Sequence, residues 1–255
     1  MATVPAVKSA WQPTIPVNQS IYEGSTTQKA PLGTRLEVGD RVFHYAKVAT
    51  TQAAGMLCCA PLLRDSDLAD LVTAAGTKGD KYVVITAATN VASAAFNEGY
   101  MIISSGTAGK QGFTYRVSHH GSIASAGTGT IYLYDQLVDS ISSAADEVNF
   151  LANIYNGVHS ATSTGTDLPV GFTPCQVTSA GYCWLQTWGI GAAEHEAATA
   201  AAVALKPGTI GGVVVFSAGG TTGGCVAANA VIIGKNINAA ATQTESNPIM
   251  ITIRG

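Results

Sequence analysis

The stretch Gly181-Tyr182-Cys183-Trp184-Leu185-Gln186-Thr187-Trp188-Gly189 holds two of the chain's three tryptophans and has a glycine at each end. Strand alternation sorts its side chains into two sets. Tyr182, Trp184, Gln186 and Trp188 fall on one face, and Cys183, Leu185 and Thr187 on the other. Both sets are mostly apolar or aromatic. A strand of that kind is covered on both sides, by a second sheet or by another subunit. Tyr182, Trp184 and Trp188 therefore read as a core or interface strand of a β-rich body. The competing reading is an aromatic platform that stacks against a sugar or another flat ligand.

Composition points the same way. Charged residues make up 11% of the 255, against roughly 25% in an ordinary soluble domain. Apolar residues reach 47%, many of them alanine, and 28 residues are glycine. A surface so poor in charge is poorly suited to a lone monomer and fits one largely buried in an assembly. The net charge of -3 leaves no basic footprint for nucleic acid. No run approaches about 18 uninterrupted apolar residues, so no membrane span is expected. The first residues lack the basic and apolar regions of a secretory signal. Five cysteines, two of them adjacent at 58 and 59 and none in a C-x-x-C pattern, read as free thiols of a protein made in a reducing cytoplasm.

Outward from the aromatic strand, the chain reads as many short strands. Residues 1–38 are expected to form an extended arm, because Pro5, Pro13, Pro16 and Pro31 break any helix. Trp11, Ile15, Val17, Ile21 and Tyr22 stand in it as scattered anchors for a partner surface, to which the arm would add strand pairing. The body, residues 39–255, opens with a strand over 42–48 and a second over 53–57. Further strands are expected over 81–86, 100–104, 113–118, 127–134, 213–217, 226–233 and 247–253. Short helices are expected over 62–75 and within 135–145, and a long connection over 149–173. The fold class is all-β, a sandwich or barrel with one or two short helices and an N-terminal arm. Two lobes, 39–148 and 166–255, are a possible division of the body.

Chemistry-bearing motifs fail one by one. Gly106 to Gly112 resembles a phosphate loop, but Ser104 and Gln111 break the pattern, which leaves a hairpin loop. Glu194-His195-Glu196 does not continue to a second histidine, because position 199 is threonine. Asp65, Asp67 and Asp70 lack the glycine and terminal glutamate of a helical calcium loop. His119 and His120 are adjacent on a strand and point to opposite faces. His159 and Asp167 stand alone. No catalytic set, cofactor or metal is expected, and an enzyme ranks last among the functions considered.

Several stretches resemble a class of tailed-phage virion proteins. Leu32-Gly33-Thr34 leads into Val38-Gly-Asp-Arg-Val-Phe-His-Tyr-Ala46, similar to a "GDRVFRYA"-like strand, and Ala53-Ala-Gly-Met-Leu57 follows as an "AAG-x-L" strand. Gly106 to Gly112, Ile131-Tyr-Leu-Tyr-Asp135, Asn153-Ile-Tyr-Asn156, Leu168-Pro-Val-Gly171 and the aromatic strand are similar to the same class, whose pattern runs over most of residues 32–216. His44 departs from it, standing where a basic residue is expected. The resemblance implies a capsid-associated structural protein, first of all a decoration (cement) protein on the outside of an icosahedral shell. It also implies a homo-oligomer, with a trimer favoured, and the major capsid protein as partner. A tail-tube, fibre or shell subunit is the alternative within that class. A carbohydrate-binding module is the alternative outside it.

Overall fold

The computed structural model describes residues 19–61, 72–106, 109–161, 168–208, 210–216, 232–239 and 246–253. Three strands come first: β1 (Arg35–Val38), β2 (Arg41–Val48) and β3 (Leu57–Cys59). Six more follow: β4 (Val72–Ala75), β5 (Tyr82–Thr86), β6 (Tyr100–Ser105), β7 (Thr114–His120), β8 (Thr128–Leu133) and β9 (Glu147–Leu151). The last seven are β10 (Asn156–Ser160), β11 (Pro169–Phe172), β12 (Tyr182–Glu194), β13 (Ala204–Pro207), β14 (Val213–Val215), β15 (Gly234–Asn236) and β16 (Ser246–Thr252). The fold is all-β, and no helix occurs among the described residues.

The middle six strands close into a barrel in the order β4-β5-β8-β7-β6-β9. Its strands alternate cleanly. On β5, Val83 and Ile85 point inward while Tyr82, Val84 and Thr86 face solvent. The inward residues of neighbouring strands, Met101, Ile103, Val117, Ile131 and Phe150 among them, fill the interior as one apolar cluster. A six-stranded barrel is narrow enough for side chains to pack it solid.

The remaining ten strands form one sheet, ordered β1-β2-β10-β3-β11-β12-β16-β15-β13-β14. Because β2 also pairs with β12, the strands between them close into a ring. Ala46, Val158, Cys183 and Leu185 belong to the cluster inside it, and Phe43, Tyr45 and Trp184 to the cluster on its other side. The barrel is thus inserted between β3 and β10. This differs from a division at 39–148 and 166–255: β2 and β3 pair with strands from the second half of the chain. The closing strand β10 runs parallel to β2, a pairing that needs a long crossover, and the barrel supplies it.

Other expectations are corrected. The arm was expected to run to residue 38, but residues 19–38 pack on their own body. Ala30 and Leu32 are buried there, and β1 pairs with β2. The buried Gln19 donates to the carbonyls of Glu23 and Tyr182 and accepts from the Tyr45 hydroxyl. Residues 72–75 are strand rather than helix, and 62–71 lie outside the described residues. The 135–145 segment is not a helix either. Leu137 and Ile141 belong to the barrel core, and Gly76 and Ile141 exchange backbone hydrogen bonds. The expected connection over 149–173 contains β10 and β11, and the strand expected over 53–57 begins only at Leu57, after a turn at Gly55. Of the strand expected over 226–233, residues 226–231 lie outside the described residues, and β15 starts just beyond it.

Candidate interaction surfaces

Strand β12 parts its aromatic residues. Tyr182 stands opposite Lys47, Trp184 opposite Tyr45 and Gln186 opposite Phe43. Trp184 is completely buried and meets Tyr45 edge-on, with ring centroids 4.9 Å apart. Its indole Nε1 has no hydrogen-bond partner among the described residues. A bulge then breaks the alternation. Trp188 pairs with Val42, so Thr187 is skipped, and Trp188 is 40% exposed. Gly189 follows at φ 90°, where a Cβ would lie 2.6 Å from the carbonyl oxygen of Asp40, so only glycine fits.

Ile21 packs against the Trp184 cluster. Tyr22 is exposed, and its hydroxyl accepts from Arg41 Nη1 at 3.0 Å. Trp11, Ile15 and Val17 lie outside the described residues. The structure therefore brings Ile21, Tyr182 and Trp184 together in one cluster and leaves Tyr22 and Trp188 on the surface.

A further exposed aromatic surface lies on the outer face of the barrel. Tyr82, Tyr100, Tyr132 and Tyr134 are each between 41% and 45% exposed. Tyr82 and Tyr132 are cross-strand partners, and His119 stacks on Tyr132 at 4.5 Å with an interplanar angle of 7°. Arg116 pairs with Tyr100 across the ladder and holds its guanidinium 5.5 Å from the Tyr134 ring centroid. These residues come from four adjacent strands, with Tyr134 directly after β8, and all lie on the outer surface of the barrel. The sequence carried the signal: each tyrosine is out of phase with the inward Val83, Met101, Ile131 and Leu133.

The phosphate-loop look-alike has a structural explanation. Lys110 Nζ donates to Asp146 Oδ2 at 3.1 Å and to the Ser140 carbonyl at 2.6 Å. Asp146 is fully buried and also accepts from the Ser142 N–H. Gly106 (φ 154°) lies against the Asp146 carboxylate, which leaves no room for a Cβ. Lys110 and Gly106 here serve a buried ion pair.

Three of the histidines serve structure. His120 Nε2 accepts from the Phe96 N–H, which leaves Nδ1 to donate to the Gly121 carbonyl, and burial lowers its pKa. His44 is stacked on Tyr155, with Nδ1 3.2 Å from the Thr187 hydroxyl. Burial, and then the charge of Arg35, lowers its pKa to about 4, so the imidazole is neutral. A basic side chain kept charged at this place would lose hydration, and the neutral ring suits the packed site. His195 is buried with Nδ1 3.0 Å from the Thr199 hydroxyl. Among the described residues, no three His, Cys, Asp or Glu side chains gather as metal ligands. Cys58, Cys59 and Cys183 are buried outside any disulfide and Cys175 is half-buried; burial pushes the Cys183 thiol up to about 12, far from the reactive thiolate range.

Comparison of the chain with protein-family models, curated proteins and solved structures finds no match.

Proposed function

We propose that this chain is a non-catalytic structural component of a tailed-phage virion that binds the outside of an icosahedral shell and bridges neighbouring capsomers. The observation that carries the reading is the outer face of the barrel. Tyrosine and arginine are the side chains that dominate protein–protein contacts, because they bring large rigid area and a polar tip at low entropic cost. Four half-exposed tyrosines, Arg116 and His119 on the outside of the barrel form such a surface. The low charge of the whole chain supports the same reading, since repeated contacts in a lattice leave little surface to solvate. The sequence resemblance to virion proteins points to the partner, the major capsid protein. Each contact can be modest, because many sites on one particle raise the effective affinity.

Replacing Tyr100, Tyr132 and Tyr134 together by serine tests this. The variant is expected to fold, since all three side chains lie outside the core, and to bind particles stripped of this protein at least about tenfold more weakly in co-sedimentation. Undiminished binding by a folded variant would remove the barrel face from the contact.

A further inference from the structure

We propose that the cleft between the barrel and the large sheet is a binding site for a short saccharide. The cleft holds about 410 Å³, within the size range of small-ligand sites. Its walls come from both bodies: Gln28, Lys47, Asn156 and Tyr182 from the sheet side, Ser93 and Asn97 from the barrel side.

The walls are fixed to each other. Glu98 lies at the junction, and its carboxylate accepts from the Leu32 N–H at 2.7 Å and from Gln28 Nε2 at 3.2 Å. Asn153 Nδ2 donates to the carbonyls of Leu32 and Glu98, and Arg116 Nη2 also donates to the Leu32 carbonyl. The barrel turn that lines the cleft carries two non-glycine residues in the left-handed region, Ala94 at φ 63° and Glu98 at φ 59°. Such conformations are costly and persist only where surrounding contacts enforce them. Ligand groups would therefore meet a preformed wall, which reduces the ordering cost of binding.

Several polar groups inside are unspent. Among the described residues, the Lys47 ammonium has no carboxylate partner, and the side chains of Ser93 and Asn156 make no hydrogen bond. Asn97 uses its Oδ1 to accept from the His120 N–H and keeps both amide hydrogens. Lys47 Nζ lies 5.8 Å from the centroid of the Tyr182 ring, so a cation and an aromatic body share one end of the cleft. Two amides, a hydroxyl, an ammonium and a phenol ring together offer donors and acceptors in mixed order. A ligand rich in hydroxyls, with a carbon skeleton to lie against the ring, matches that order. A phosphate ligand does not, because the Glu98 carboxylate lines the same cleft as its single lysine. An apolar peptide segment does not either, because the wall is mainly polar.

The test is independent of the virion reading, which a negative result leaves intact. The labelled full chain is applied to an array of bacterial and eukaryotic glycans, neutral and acidic, and its strongest ligand is titrated by calorimetry. Binding is expected to one structurally related group of glycans. Lys47→Gln and Asn156→Ala, each with an unchanged melting curve, are expected to weaken it at least about tenfold, the usual effect of one lost ligand hydrogen bond. No ligand on the array overturns the proposal. So does affinity that survives both cleft variants but falls in Trp188→Ala, which places the sugar at the exposed Trp188 instead.

Discussion

Trp184→Ala is expected to lower the unfolding free energy by about 3–5 kcal/mol, the range for deleting a large buried aromatic side chain. The indole is completely buried between Tyr45 and the segment that carries Ala30 and Leu32. Its edge-on contact with Tyr45 adds roughly 0.5–1.5 kcal/mol beyond the area it removes from water. The neighbours cannot close the cavity, because Tyr45 is held by its hydroxyl, which donates to Gln19 and accepts from the Lys29 N–H. Trp184→Phe is expected to cost clearly less than the alanine change. Phenylalanine keeps most of the ring contact and deletes an N–H with no partner among the described residues, a group whose burial is itself unfavourable. Urea unfolding of both variants checks the pair. A near-neutral Trp184→Ala would mean that the indole is not in the core.

The second large effect is expected at a polar contact. Lys110→Met should destabilise the barrel by about 3–5 kcal/mol, because it strands the Asp146 carboxylate in a buried site. The carboxylate loses the charged partner at 3.1 Å and keeps the Ser142 N–H, and the Ser140 carbonyl loses its donor. The double variant Lys110→Met with Asp146→Leu should lose less than Lys110→Met alone. Removing both charges avoids the uncompensated ion, and apolar replacements of a buried pair are often tolerated. Equal losses in the single and double variants would show that Asp146 reaches water once the lysine is gone.

How much of this was legible in the sequence depends on the range of the contacts. The strand around Trp184, its burial on both sides and its closing glycine follow from period-two patterning and local backbone geometry. The exposure of Trp188 does not, because it rests on a bulge at Thr187 that strict alternation misses. The barrel strands were readable for the same reason as β12, since Tyr115, Val117, Ile131 and Leu133 alternate with polar or aromatic neighbours. The nesting of the barrel between β3 and β10 was not. It depends on pairing Lys47 with Asn156 and Tyr182, more than a hundred residues away, and no local pattern encodes that. Residues 19–38 misread as an arm because prolines and polar residues dominate them, while their few buried groups, Gln19, Ala30 and Leu32, are tied to distant partners. Likewise Lys110 looked like half of a motif until Asp146, 36 residues on, supplied its partner.

The tyrosine face joins the fold to the proposed role. Its rings add cross-strand contacts, worth roughly 0.2–1 kcal/mol per pair, and still leave nearly half of their surface exposed. The interior of the barrel therefore carries the stability, and the outer face is left available for contact.

The most direct measurement is the copy number of this chain relative to the major capsid protein, by quantitative mass spectrometry of purified particles from the virus that encodes it. A lattice-wide decoration role predicts a ratio near one or a simple fraction of it. A few copies to a few dozen per particle, or absence from the particles, would contradict it.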